Sequence, residues 1–370
     1  MGNHRWPEAP TVGVEEEFLL IDPGTGENVA VADRVLTALP DEARAQSRPE
    51  FRRSMIEMVT PVCSGLSEVR DTLIRLRREA GRAAQSIGAR LVAIGATPVA
   101  EPTRTVPDDP RYQHMVRRYG PIAEDPACCG CHVHVGVPDR ELAVQICNHL
   151  RVWLPMIQAM TVNSPYWEGA DTGYGSWRCA QLERWPSMGP TPLFADAAEY
   201  DATVDEMITS GTVLDRHMVY WYARPSDAYP TVEVRVADVC PTVDDVLLLA
   251  GLIRALVVTA ADDVRAGVRA RQVRDCLLSA AHWHAAHDSL DGTLVHPGRS
   301  GARPAWDVIS DLVAAVTPAL HRLGDDRLVH DQLDRLRRQG TGAARQRRVR
   351  RDGGDLGTVL TAMAAQTVGD

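Results

Sequence analysis

Three short segments of this chain alternate apolar and ionisable residues with a period of two, and that pattern limits the fold more than any other feature. They are Gly13-Val14-Glu15-Glu16-Glu17-Phe18, Cys131-His132-Val133-His134-Val135-Gly136 and Thr231-Val232-Glu233-Val234-Arg235-Val236. A period of two belongs to a β-strand, in which residues i and i+2 share a face. Glu15 and Glu17 then fall on one face, with Val14, Glu16 and Phe18 on the other. His132 and His134 share a face opposite Cys131, Val133 and Val135, and Glu233 and Arg235 share one opposite three valines. Each segment buries an apolar row and presents a short row of ionisable groups.

The rest of the chain supplies helices between such strands. Thr11 to Ile21 reads as a strand ending in the Asp22-Pro23-Gly24 turn, with a short helix over Val29 to Leu39 and a second strand over Ser54 to Thr60. Val69, Leu73, Leu76, Ala80, Ala83 and Ala84 recur at helical spacing, predicting a helix over Ser67 to Ile87. Leu91 to Ala96 reads as a buried strand, Tyr112 to Tyr119 as a short helix, and Arg140 to Met160 as one long helical stretch. Asn163 to Pro192 is rich in loop formers, and everything from Thr242 onward reads as helical. Strands and helices in this irregular order predict an α+β fold, an antiparallel sheet with surrounding helices. One domain over 1–370 is the expectation, with the chemistry-bearing strands within about 11–240 and a mostly helical part over 242–370.

The 370 residues contain no lysine, so all 40 basic residues are arginines. That excludes a phosphate loop ending in Lys-Ser/Thr, a Schiff-base lysine and other lysine nucleophiles. Any phosphate must be handled by arginine and metal ions. Forty-nine acidic residues give a net charge of -9, which opposes binding to nucleic acid. The basic run Arg345, Arg347, Arg348, Arg350 and Arg351 suits a solvated helix end. Met1 to Pro10 lacks the basic and apolar regions of a signal peptide, and Val246 to Ala261 is short and broken by Arg254. A cytoplasmic protein with no membrane partner and eight reduced cysteines is therefore expected.

Carboxylates and imidazoles repeated at i, i+2 are a ligand set for Mg²⁺ or Mn²⁺, and an arginine beside a carboxylate offers a fork to a phosphate. The competing reading is zinc held by Cys128, Cys131, His132 and His134. No second CxxC or suitably spaced histidine pair follows, and alternation sends Cys129 and Cys131 to the valine face.

Taken in order, these strands with Ser54-Met55-Ile56-Glu57, Asn163-Ser164-Pro165-Tyr166-Trp167 and Asp171-Thr172-Gly173-Tyr174 resemble the glutamate-cysteine ligase type 2 family. These are bacterial ATP-dependent carboxylate-amine ligases, and the likeness runs from about Thr11 to beyond Asp352-Gly353-Gly354. The resemblance implies a glutamine synthetase-like catalytic fold with ATP and Mg²⁺ (or Mn²⁺). It assigns Glu15, Glu17, Glu57, His132 and Glu233 to metal, with Glu50 as a further carboxylate. His134 would lie near the transferred phosphate and Arg235 on the γ-phosphate. Arg178 and Arg224 would bind the acidic substrate or the nucleotide, or else form supporting ion pairs. The family carries an acidic residue where this chain has Tyr222, a departure that bears on substrate recognition. The implied reaction joins a carboxylate, such as glutamate, to an amine, such as cysteine, through an acyl phosphate, with a weak glutamate–cysteine ligase activity. A covering loop over Tyr166 to Pro192 and a homodimer are also expected. Two alternatives stand beside this reading: a non-catalytic nucleotide- or metal-binding regulator on the same fold, and a zinc hydrolase using His132 and His134.

Overall fold

The computed structural model describes residues 9–297 and 301–369, so most of the Met1–Pro10 start lies outside the described residues. The chain runs β1 (Val12–Ile21), α1 (Ala32–Ala38), α2 (Asp41–Ala45), β2 (Ser47–Pro49), β3 (Met55–Val59), α3 (Leu66–Ser86), β4 (Arg90–Val92), α4 (Pro110–Tyr119), β5 (Gly130–Gly136), α5 (Arg140–Leu150) and α6 (Leu154–Thr161). It continues through β6 (Tyr166–Trp167), β7 (Ala170–Asp171), α7 (Trp177–Leu182), α8 (Ala197–Thr209), β8 (Ala223–Pro225), β9 (Thr231–Asp238), α9 (Val243–Arg265) and α10 (Asp275–Asp288). A hairpin of β10 (Thr293–Val295) and β11 (Ala302–Pro304) precedes α11 (Ala305–Leu323), α12 (Asp326–Gln339), α13 (Gly342–Arg351) and α14 (Leu356–Val368).

The main sheet has the order β2-β3-β1-β5-β9-β8, with β4 pairing the end of β1. All its pairings are antiparallel. Register brings the ionisable rows together: Glu15 lies opposite His132, Glu17 opposite Glu57, and His134 opposite Glu233. Residues directly opposite on neighbouring strands point to the same face, so the rows merge into one polar surface. Between Cys131 and Val133 the β5–β9 register shifts by one residue: Val133 pairs Val234, whereas Cys131 pairs Ala237. This β-bulge lies beside the polar surface.

The other face of the sheet is the core. Val12, Val14, Cys131, Val133, Val135, Val232, Val234 and Val236 pack with buried residues of α3, α5, α6, α9, α11 and α12. Farther along β1, Phe18 and Leu20 meet α1, α3 and α14. Helix α9 is apolar on every side because it is covered on every side, and its start is fixed by a capping box between Thr242 and Asp245. Its Arg254 is buried against Asp325 at 3.0 Å. No helix among the described residues is long and apolar enough to cross a membrane.

Three expectations change. The stretch Arg140 to Met160 is two helices, broken where Arg151 is buried and donates to the Thr191 carbonyl at 2.6 Å. Pro155, acceptable only in a first turn, starts α6. The part after Thr242 is interrupted by the β10–β11 hairpin. Finally, Asn163 to Pro192, expected to be loop, holds a two-stranded turn and α7, and its start is pinned to the end of β9. Asp238 accepts hydrogen bonds from Asn163 N, Ser164 Oγ and Ser176 Oγ at 2.7–2.8 Å.

Candidate active site

The polar face of the sheet floors a cleft of about 450 Å³, within the range of small-ligand sites. Every residue assigned to metal or phosphate from the sequence lines it: Glu15, Glu17, Glu50, Glu57, His132, His134, Glu233 and Arg235, together with Arg178 and Arg224. β1 supplies the first two glutamates, β5 the histidines and β9 the Glu-Arg pair. Glu57 stands on β3, and Glu50 enters from the turn after β2.

Ligand-capable atoms fall into three overlapping groups. Those of Glu15, His134 and Glu233 lie within 4.8 Å of one another, as do those of Glu15, Glu57 and His132, and those of Glu17, Glu50 and Glu57. Glu15 stands between the histidines, 3.2 Å from His132 Nδ1 and 3.2 Å from His134 Nε2. The other nitrogen of His134 is bonded to Thr231 Oγ1 at 2.9 Å, which fixes the ring. His132 Nε2 is buried without a hydrogen-bond partner among the described residues.

Charge in the cleft is unevenly met. Burial opposes ionisation of Glu15 and Glu233, yet Glu15's contacts with the histidines, and Arg235 with Arg224 beside Glu233, hold both well below the usual carboxylate range. Arg235 pairs directly with Glu233, and Arg224 Nε reaches its other oxygen at 2.8 Å. The opposite end lacks such partners. Burial, and then the charge of Glu17, pushes Glu50 up to about 8, while burial and Glu50 raise Glu57 well above its ordinary value. Burial lowers His132, with Arg235 adding to the effect. For His134, burial acts against the charged form but Glu15 and Glu233 outweigh it, and its pKa is raised.

Buried carboxylates crowded until burial and mutual repulsion oppose their ionisation, beside an imidazole nitrogen that makes no hydrogen bond to a described residue, fit hard divalent cations. The sulfur-based reading does not fit. Cys131 points into the core, and no cysteine belongs to any of the three groups. Cys128 does line the cleft, but burial pushes its thiol up to about 12, and only a thiolate is a good zinc ligand.

Arg178 and Arg224 differ in role. Arg224 clamps Glu233 and the Val219 carbonyl, the supporting ion pair weighed from sequence. Arg178 is buried, 4.0 Å from Asp238, and its guanidinium makes no hydrogen bond to a described residue. One turn on along α7, Gln181 is also buried, with its amide nitrogen on the Pro126 carbonyl and its Oε1 unpartnered. Tyr222 lies off the cleft, in the core, with its ring 4.5 Å from that of His282, so the departure noted there does not touch the polar face.

Several cleft residues escaped the sequence reading. Arg52 is buried and donates to the carbonyls of Arg104, Ala123 and Asp125, tying three loop positions to the rim. Phe51, Tyr112, Trp185 and Tyr220 form an aromatic wall near Glu50, with Phe51 and Trp185 edge-to-face at 6.1 Å. They come from four separate segments, so no local pattern announces them. Gln181 had a signal in its helical spacing from Arg178.

The profile of the family described as Glutamate-cysteine ligase family 2 matches residues 11–362. A protein named "Putative glutamate–cysteine ligase 2" from Salinispora arenicola is 64% identical over 358 residues, covering 96% of this chain and 95% of that protein. One from Saccharopolyspora erythraea, "Putative glutamate–cysteine ligase 2-1", is 45% identical over 361 residues, covering 97% and 95%. Among solved structures, a glutamate–cysteine ligase from Francisella tularensis in complex with AMP superposes with a TM-score of 0.67 at 12% identity, over 98% of this chain and 89% of that one. A bifunctional glutathione synthetase from Pasteurella multocida gives 0.71 at 15% identity, with this chain spanning 98% of itself and 52% of the larger enzyme. These two likenesses establish the fold as that of glutamate–cysteine ligases. On the sequence match along its length, the chain belongs to glutamate–cysteine ligase family 2.

Proposed function

We propose that this protein is an ATP-dependent carboxylate-amine ligase that forms an amide through an acyl phosphate, with glutamate and cysteine as its reference substrates. The observation that carries this reading is the gathering of six metal-capable side chains and Arg235 on one sheet face, with Glu50 joining them from the turn after β2, all lining one cleft. Glu15, Glu17, Glu50, Glu57, His132, His134 and Glu233 would hold divalent cations, magnesium or manganese. Bound there, such ions supply charge neutralisation for the triphosphate.

In the first step a carboxylate oxygen of the substrate attacks the γ-phosphorus of ATP, and ADP leaves. Two anions must approach, so the barrier is electrostatic. Arg235 is the cation of the floor, aimed by its pair with Glu233, and suits the γ-phosphate. Arg178 offers an unspent guanidinium to a substrate carboxylate, and Gln181 Oε1 an acceptor for an ammonium one helical turn away. Together they suit an α-amino acid. In the second step the amine nitrogen attacks the acyl carbon, loses a proton, and phosphate leaves. Water would destroy the acyl phosphate, and the pinned wall from Ser164 to Trp185 shields it on one side. The same reading places the enzyme in the cytoplasm, acting on small molecules, as the homodimer the family resemblance implies.

The test is phosphate release from ATP with Mg²⁺ across a panel of amino-acid carboxylates and amines, with mass identification of the amide. Amide formed in step with phosphate is expected. Binding of ATP with no turnover on any pair would overturn the ligase in favour of a regulator.

A further inference from the structure

Helix α3 lies behind the sheet, on the face opposite the cleft, where its Arg77 is buried against Glu16. Its other arginines divide sharply. Arg70 pairs with Asp244 at 2.8 Å, and Arg75 with Glu79 at 3.2 Å. Arg78 and Arg82 are exposed and have neither a hydrogen bond nor an ion pair with any described residue. They stand at i, i+4, where like charges face and repel each other.

Both line a groove of about 610 Å³ between α3, β4 and α14. Arg90 joins them, its Nη1 held by Thr361 Oγ1 at 3.0 Å. Among the described residues lining the groove there is no aspartate or glutamate, in a protein with nine more acidic than basic residues. The facing wall is apolar, built from Leu91, Ala364 and Val368. It is also set close: a Cβ on Gly81 would come within 2.6 Å of Val368 Cγ1, so this glycine fixes how near α14 approaches.

Three guanidinium groups with no counter-carboxylate among the described residues, opposite a small apolar wall, suit an anion of several charges that carries an apolar body. We propose that this groove is a second ligand site, separate from the catalytic cleft, that binds a nucleotide-class anion. Its phosphates lie on Arg78, Arg82 and Arg90, and its base lies against Leu91, Ala364 and Val368. Guanidinium forks match phosphate oxygens in pairs, which favours phosphate over a single carboxylate.

The experiment titrates the full-length protein with ADP and, separately, with inorganic pyrophosphate, in the wild type and in an Arg78→Gln/Arg82→Gln variant. The wild type should show two classes of ADP site. The variant should lose one of them by tenfold or more in affinity, while keeping the other and the basal turnover. Pyrophosphate should bind the groove at least tenfold more weakly than ADP, since it lacks the base. Superimposable ADP isotherms for the two proteins would overturn the proposal, and pyrophosphate binding as tightly as ADP would overturn the nucleotide class. The groove's own loss in the variant is read whether or not the cleft turns over, so it fails or stands independently of the ligase reading.

Discussion

Glu16 and Arg77 face each other behind the sheet, each 1% exposed, with Arg77 Nε on one carboxylate oxygen at 3.0 Å and Nη2 on the other at 2.5 Å. The remaining guanidinium capacity goes to the carbonyls of Cys240, Pro241 and Thr367. Of three consecutive glutamates, the middle one therefore serves the core, while its neighbours face the cleft. It locks α3 to β1, the strand that carries Glu15 and Glu17.

Removing one member of this pair strands a buried charge. Arg77→Met should cost about 3–5 kcal/mol in denaturant unfolding, whereas Glu16→Met/Arg77→Met together should recover most of that loss. A single variant as stable as the wild type would show that the pair does not hold the strand.

The raised Glu50 and Glu57 set the pH response of the metal-free protein. A carboxyl whose folded pKa exceeds its unfolded value adds stability at low pH and loses it as pH rises through the folded value. With EDTA present, the unfolding temperature should fall between pH 4.5 and about 8, the value for Glu50. Mg²⁺ or Mn²⁺ should restore it, and Glu50→Gln should flatten the slope. A metal-free profile that rises over this range would contradict the arrangement.

Arg235→Ala and Glu233→Gln should each lower ATP-dependent amide formation by about 100- to 1,000-fold, the usual loss for one well-placed charge-stabilising group. Circular dichroism should remain that of a folded protein. Near wild-type turnover in either variant would remove Arg235 from the γ-phosphate.

Gly130 has room for no side chain. A Cβ there would collide with the Arg178 guanidinium and come within 3.1 Å of His132 Nε2. Gly130→Ala should displace Arg178 and raise KM for the carboxylate substrate roughly tenfold, equivalent to about 1.4 kcal/mol, with KM for ATP little changed. An equal rise in both constants would place Arg178 on the nucleotide instead.

Asp245, in the first turn of α9, ties α12 and α13 to that helix. Burial opposes its charge, but Arg345 and Arg335, at 2.7 and 2.5 Å, depress it from 3.8 to about 2. Its contribution is complete above pH 3.8 and disappears as pH falls toward 2. Asp245→Asn should cost about 3 kcal/mol at pH 7 and shrink in effect on acidification. A cost independent of pH would assign the loss to packing.

The strands that carry the candidate site were legible because alternation is local: β1, β5 and β9 are each visible in six or seven consecutive residues, and the helical spacing of α3 likewise. Elements of three residues were not. β2 and β8 hold edge positions and end in Pro49 and Pro225, residues that carry no strand signal. β4 shrank to Arg90–Val92 because the chain beyond it leaves the sheet, while Gly95 pairs with Cys129 and Asn163 through backbone bonds. The break at Arg151 is set by tertiary partners forty and more residues away in sequence. The same holds for the cleft. Its charged floor is local in sequence, whereas the aromatic wall and the Arg52 anchor exist only once distant loops meet.

The bulge in β9 has a consequence for how the cleft is divided. In an unbroken strand Asp238 would share the side of Val234 and Val236, but the extra residue sets it opposite Gly130, on the side of Glu233. There it holds Ser164 and Ser176 and stands next to Arg178. One strand thus runs in two phases, the first setting Glu233 and Arg235 on the cleft floor, the second anchoring the wall from which Arg178 reaches in. A deletion of a single residue between Arg235 and Asp238 would leave the first phase whole and turn the second inside out. The division of the cleft floor from its side wall is set within the span from Arg235 to Asp238.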